Sequence, residues 1–326
     1  MAVQESTSLT GEQNPRQLFR AMRSGSGQGG RKNPTSENVL GYLFIAPAVL
    51  LYLTFNVWPL IRGILMAFTD YRFVYPDTRW AWNGVDNFVK LFGSTKVREA
   101  LWVSFQYTGL VVPAVLIAAL LSAVLISQVR RGAGFYRWVV YLPTILPVAV
   151  SFLMFQQMYA LNYGIINVVL RRLGMEDPPH WLGEVETALP AIGAAHTWII
   201  FGFPTLLFLI GIYGISAEMY EAASLDGANR WQQFRFITLP QLKPTTAMVL
   251  ILTIPGIFTV TDPMLILTQG GPQGSTQTLG YYLYSVAFQR GDLRLGYASA
   301  ISLVVSFITA ALVALVFLWS REPEGR

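Results

Sequence analysis

The chain of 326 residues has no cysteine, only two histidines, and charged side chains at just 13% of positions. Without cysteine there is no disulfide framework and no thiolate metal site, and the redox compartment is left open. His180 lies in a connecting loop and His196 within an apolar segment, and no H-E-x-x-H occurs, which removes the common zinc arrangements. No G-x-x-x-x-G-K-[ST] is present, so the chain lacks a phosphate-cradling loop of that type. Gly25, Gly27 and Gly30 satisfy G-x-G-x-x-G, yet the pattern predicts neither a strand before them nor a helix opening on them, so the segment reads as a flexible linker. No carboxylate pair stands at a catalytic spacing. Together these absences point away from catalysis.

An ordinary soluble domain carries about 25% charged residues. Half that share, with 53% hydrophobic residues and a mean hydropathy of +0.45, points to a membrane protein. Crossing the hydrocarbon takes about 20 apolar residues. Six segments qualify: Val39–Phe68, Leu101–Ser127, Phe135–Leu161, Leu189–Ile215, Thr245–Thr268 and Leu295–Trp319. The expected fold class is therefore all-α, a polytopic protein with six transmembrane helices. Residues 1–38, rich in Ser, Gly, Gln and Arg, are expected to be a disordered tail. The membrane domain is placed at 39–320 and a short tail at 321–326. The first span has a long hydrophilic leader and no small-residue cleavage site, and reads as an uncleaved anchor.

The formal charge of +5 is distributed as a membrane topology signal, not as a nucleic-acid surface. Arg16, Arg20, Arg23, Arg31 and Lys32 precede the first span, and Arg130, Arg131 and Arg137 sit between the second and third. Arg230, Arg235 and Lys243 lie between the fourth and fifth, and Arg321 and Arg326 close the chain. All share one side if there are six spans, and cationic loops favour the cytoplasm. Both termini and residues 216–244 are thus expected in the cytoplasm.

On the opposite side, Val85, Phe88, Val89 and Phe92 recur at helical spacing. They suggest a short amphipathic helix, either a surface cap or a docking surface for an external protein. Trp80 and Trp82 could anchor at the interface. Further loops run from Asn162 to Ala188 and from Gln269, the latter a glycine–proline turn followed by an aromatic-rich helical stretch.

The 216–244 connector is the most informative segment. Ser216 can accept a hydrogen bond as an N-cap, and Glu218 and Glu221 follow near the positive end of a helix. Ala222 and Ala223 keep a low profile, and Gly227 stands where a left-handed cap would stop the helix. A second helix is expected from Asn229 to Ile237, with Trp231, Phe234 and Ile237 on one face and Pro240 and Pro244 ending it.

EAASLDGANRWQQFRFITLP satisfies E-A-A-x3-G-x9-I-x-L-P at Glu221, Ala222, Ala223, Gly227, Ile237, Leu239 and Pro240. That pattern resembles the cytoplasmic coupling loop of bacterial ABC-importer permeases. TDPMLILTQGGP (Thr261–Pro272) resembles F-D-x-x-x-x-L-T-x-G-G-P of carbohydrate-importer permeases of the maltose, lactose and glycerol-3-phosphate types. Asp262, Leu267, Thr268, Gly270, Gly271 and Pro272 match, while Thr261 replaces the usual Phe. WAWNGVDNF, YLPTILP and GIINVVLRRLG extend the likeness over most of residues 40–320.

The resemblance implies the type I ABC-importer transmembrane fold in a bacterial plasma membrane, as the first permease of a heterodimeric pair. It implies a second homologous permease, an ABC ATPase dimer, an extracellular solute-binding protein and a sugar substrate. ATP and magnesium would sit on the ATPase, and this chain would hold no cofactor. Glu221 and Asp226 would offer charged hydrogen bonds to the ATPase groove.

Residues of a pathway are expected in the fourth and fifth spans. Pro255–Gly256 and Asp262–Pro263 interrupt the fifth, freeing carbonyls near Ile251 and Thr259. Broken helices at membrane depth line protein or water. Candidates are His196, Phe203, Gly256, Thr259 and Asp262, with Trp198 and Phe201 available to stack on a sugar. For His196 an interhelical hydrogen bond stands beside a ligand role. For Asp262 a helix cap or an arginine partner stands beside substrate contact. A permease for a non-sugar solute such as glycerol-3-phosphate and an ion-coupled transporter acting alone remain as alternatives.

Overall fold

The structure is a computed structural model that describes residues 34–75 and 80–321, with side chains from 41 onward. The expected tail at 1–38 falls outside these residues up to 33, and a helix begins at Pro34 inside its last part. A proline suits a first helical turn, where its missing N–H has no partner to lose. The short tail is described only at Arg321, and 322–326 fall outside.

The chain divides into two compact units, 1–61 and 62–326. The first contains the helix Pro34–Tyr52 and the π-helical turn Leu53–Val57. Trp58 there donates its N–H five residues back to the Leu53 carbonyl, just before Pro59, which has no N–H to give. A π turn widens the helix where the ordinary bonding pattern fails.

Among the described residues, four helical spans are long and apolar enough to cross a membrane: Gly41–Met66, Thr95–Ser127, Lys243–Leu267 and Leu295–Ser320. Two bent pairs, Ala133–Ile145 with Val148–Met158 and Val185–Ile200 with Gly202–Tyr213, bring the total to six when each pair is counted as one span. The six expected segments are thus recovered, but two are bent, by 93° and 52°. At the sharper bend Leu146 is extended (φ −65°, ψ 144°), because Pro147 excludes the helical region for its predecessor. At the second bend Pro204 leaves the Ile200 carbonyl without its usual donor. Thr144 Oγ1 donates to the adjacent Ile199 carbonyl at 3.0 Å.

The second span is the axis of the packing. Val103, Tyr107, Val111, Val115, Ala119 and Ala123 are all buried and recur every fourth residue, which places them in one row of the helix surface. Tyr107 and Val111 pack with Phe152, Phe155, Ile192 and Ile199 of the bent spans and with Ile257 and Met264 of the fifth. Ala119 and Ala123 let Phe208, Leu209, Leu242 and Val249 come close near the 216–244 end, the usual use of small residues between membrane helices. A third cluster joins Leu91 and Val97 to Phe258, Leu279, Tyr282 and Ile301 at the opposite end.

There the expected amphipathic helix is present at Asp86–Gly93, with most of its apolar stripe left exposed. Asn87 and Leu91 are buried while Val85, Val89 and Phe92 are exposed. Asn87 Nδ2 donates to the carbonyls of Ala67 (2.9 Å) and Thr69 (2.8 Å). Those carbonyls lie past the end of the helix Trp58–Met66. Satisfying them takes precedence over burying a modest apolar face.

Candidate functional site

Two regions answer to the sequence expectations: the 216–244 connector, and the space between the third, fourth and fifth spans.

The connector folds from local hydrogen bonds. Ser216 Oγ accepts from the Glu218 N–H at 3.3 Å and opens the helix Ala217–Leu225. Gly227 closes it at φ +81°. The Ala228 N–H bonds the Ala223 carbonyl (2.9 Å) and the Gly227 N–H that of Ser224 (3.1 Å), the paired bonds of a left-handed helix stop. Asn229 and Gln232 then form a reciprocal capping box, at 2.9 Å and 2.8 Å. The helix Arg230–Gln233 follows, and Gln233 Nε2 reaches back to Ser224 Oγ at 2.9 Å. Tyr220 Oη and Thr238 Oγ1, 2.9 Å apart, join the two halves. Trp231 and Phe234 do pair, with ring centroids 5.6 Å apart.

Pro240 and Pro244 do not end the second helix. Phe234–Thr238 forms a π turn closed by the Leu239 N–H on the Phe234 carbonyl. Pro240 and Pro244 then occupy first-turn positions of Leu239–Gln241 and Lys243–Phe258. A first turn has no need of their N–H groups, so the chain passes into the fifth span with little interruption. The spacing of π turn and proline repeats that at Leu53–Val57 and Pro59.

The motif residues divide by exposure. Glu221, Ala222, Asp226, Gly227 and Pro240 are exposed, while Ala223, Ile237 and Leu239 are half-buried. The first helix therefore presents its acids and alanine outward, and the later residues hold the loop to the spans. Sequence reasoning missed Leu225, which is 90% exposed at the end of the first helix. An apolar residue next to the Asp226–Gly227 stop was the available signal.

In the span region, His196, Phe203 and Gly256 line one cavity of about 480 Å³ together with Thr144, Leu252 and Thr253. Thr144 and Thr253 carried no sequence signal beyond being hydroxyls in apolar runs. His196 Nδ1 lies 2.8 Å from Tyr107 Oη, and the two rings stack at 5.9 Å. The histidine thus ties the fourth span to the second at the rim of the cavity. The three aromatics are divided: Phe203 faces this cavity, whereas Trp198 and Phe201 line a separate apolar groove with Ala114, Ala118 and Gly193.

Thr259 and Asp262 do not line the cavity. They flank the break in the fifth span between Phe258 and Asp262, and both are exposed. Asp262 begins the short helix Asp262–Leu267 and forms no ion pair among the described residues. The break is packed from the far side. Thr278 Oγ1 donates to the Val260 carbonyl at 3.0 Å, and a Cβ on Gly280 would stand 2.3 Å from the Thr259 carbonyl oxygen. The L-T-x-G-G-P segment is a built turn held by Thr276, whose Oγ1 donates to the Gly271 carbonyl and lies within 2.7 Å of Thr268 Oγ1. Gly271–Pro272 is cis.

The family described as binding-protein-dependent transport system inner membrane component matches residues 92–321, more than half of the chain. The chain belongs to this family. It is 33% identical over 308 residues to the diacetylchitobiose uptake system permease protein NgcF of Streptomyces coelicolor, covering 90% of this chain and 86% of the relative. To the trehalose/maltose transport system permease protein MalF of Thermococcus litoralis it is 31% identical over 283 residues, covering 86% and 93%. Its fold matches a permease chain of a bacterial alginate ABC transporter, solved in complex with alginate pentasaccharide-bound periplasmic protein. The TM-score is 0.74 at 26% identity, with 88% of this chain and 95% of the other covered.

This permease accordingly has the fold of ABC-importer transmembrane subunits and is a multi-pass membrane protein. The family match takes in both the 216–244 connector and the cavity, and leaves the first span outside.

Proposed function

We propose that this permease passes a sugar or oligosaccharide, delivered by an extracellular binding protein, into the cytoplasm of a bacterial cell. It does so paired with a second homologous permease and powered by an ABC ATPase dimer docked on the 216–244 loop. The observation that carries this reading is one of continuity. The fourth and fifth spans, which supply His196, Phe203, Leu252, Thr253 and Gly256 to the cavity, are the two spans joined by the loop. A push on a loop braced by Tyr220–Thr238 and Gln233–Ser224 reaches the cavity walls through the backbone.

Glu221, Ala222, Asp226 and exposed Leu225 form the face offered to the ATPase, with Gly227 as its stop and Ile237, Leu239 and Pro240 as its anchor. ATP and magnesium belong to the ATPase, and hydrolysis occurs there. The charge distribution of the connecting segments supports an N-terminus and a loop in the cytoplasm of a plasma-membrane protein. Carbohydrate as substrate is supported by relatives named for diacetylchitobiose and trehalose/maltose uptake. At the cavity, Phe203 would give a sugar an apolar face and Thr253 and Thr144 its hydroxyl partners. Gly256 would allow close approach, and the exposed Thr259 and Asp262 would meet the solute at the break.

Affinity purification of the tagged chain from mild detergent is expected to bring down a second six-span permease and a Walker-motif ATPase. The binding protein encoded beside them is then screened against sugars. Glu221→Lys and Gly227→Pro are each expected to lose the ATPase and uptake while the chain still inserts. A chain that purifies alone and transports when reconstituted would overturn the reading.

A further inference from the structure

A second cavity, of about 540 Å³, lies behind the connector and away from the span cavity. It is bounded by the end of the second span, the end of the fourth span and both halves of the loop, with Tyr220 from the first loop helix, whose Glu218 and Glu221 do not line it. Arg130 and Arg230 both line it. One belongs to the short turn between the second and third spans, the other to the loop helix Arg230–Gln233.

Neither arginine forms an ion pair among the described residues, and no Asp or Glu lines the cavity. Residues 128–137 and 227–244, which supply its cationic rim, contain no acid at all. Arg137 stands beside it, its Nη2 donating to Tyr213 Oη at 3.0 Å. Tyr213 is itself part of the wall. Gln128 and Gln233 add amide donors, while Val124, Ile212 and Phe234 make the rest of the surface apolar. A guanidinium pair with amide donors and no acid is a receptor for an oxyanion. An apolar wall at the ends of two spans fits a group that carries hydrocarbon as well as charge, and basic pockets between membrane helices take lipid phosphates.

We propose that this cavity binds a phosphate-ester anion, whose phosphate bridges Arg130 and Arg230. The anion joins the loop to the neighbouring connection, so its occupancy sets how firmly the loop is held against the spans. The phosphate comes either from an anionic phospholipid headgroup or from a free phosphate compound. The site depends neither on the ATPase nor on the transported solute, so it can fail or hold independently of the assignment as a sugar permease.

The test uses the full-length purified chain in detergent, with whatever subunits accompany it, titrated separately with phosphatidylglycerol, phosphatidylcholine and inorganic phosphate. Thermal midpoint and native mass are read at each concentration. Phosphatidylglycerol is expected to bind and stabilise the wild type where phosphatidylcholine does not. Saturation by inorganic phosphate as well would identify the free anion as sufficient, and its failure would identify the lipid. Arg130→Gln and Arg230→Gln are each expected to weaken binding about fivefold, the effect of one basic residue near an anionic surface. Arg130→Lys and Arg230→Lys, which keep the charge, should lose less. Arg131→Gln, next in sequence but outside the cavity, should lose nothing. Wild-type protein that binds neither anion would overturn the proposal. So would an Arg131→Gln loss equal to that of Arg130→Gln, because the attraction would then be diffuse charge and not a site.

Discussion

The 216–244 connector and the break at residues 259–261 are both interruptions of helix, and they are held in opposite ways. The connector is made by neighbours in sequence: Ser216 with Glu218, Ala223 with Ala228, Asn229 with Gln232. The break is held by residues far along the chain. Val260 takes its bond from Thr278, and the helix that carries Gly280 is fixed where the Leu279 N–H meets Ser104 Oγ, 175 residues away. A locally coded element can be an interchangeable docking part. An element made by distant contacts exists only once the bundle has assembled. Substitutions near the break should therefore cost stability, while those on the connector should cost coupling.

Gly280→Ala should give the largest stability loss. The new Cβ would fall 2.3 Å from the Thr259 carbonyl oxygen, and overpacking against backbone costs about 1–3 kcal/mol. A lowered thermal midpoint in detergent is the expected readout, and an unchanged one would break the comparison at its strongest point. Tyr107→Phe comes next. It removes the partner of the buried His196 Nδ1, and an unsatisfied buried group costs roughly 1–2 kcal/mol, again read as a midpoint shift.

Within the connector, Asn229→Ala deletes one half of the capping box at a cost of about 1 kcal/mol. Because the loss is local, it should appear as faster hydrogen exchange at residues 229–233, with the global midpoint almost unmoved. Leu225→Ala has the smallest effect on stability, within about 0.5 kcal/mol for a side chain this exposed. It should nevertheless reduce ATPase co-purification and uptake. If Leu225→Ala lowered the midpoint and left uptake intact, the division of roles between the two regions would be reversed.

Much of this contrast was legible in residue order. Six spans follow from apolar length alone, and Ser216 and Gly227 mark the ends of the first loop helix by side-chain chemistry that acts within a few residues. Where the prolines would send the chain was less readable. Pro147 bends the third span by preventing Leu146 from being helical, whereas Pro240 is absorbed by a π turn, and both cases read as X-Pro inside an apolar run. The helix Asp86–Gly93 was found by its periodicity, but nothing in the residue order marked Asn87 as its buried anchor. The carbonyls of Ala67 and Thr69 that claim Asn87 lie 20 and 18 residues away.

What the sequence determined by itself, then, is what short-range physics controls: the membrane as solvent, the number of spans, and the caps and stops of the loop. Tertiary structure decided which residues meet. It separated Phe203 from Trp198 and Phe201 by bending the fourth span, and turned Leu225 outward. It set His196 against Tyr107, and brought Arg130 and Arg230 to one cavity from connections about a hundred residues apart. Periodicity assigns a residue to a side of its own helix. What lies against that side depends on bends and crossings made by other parts of the chain.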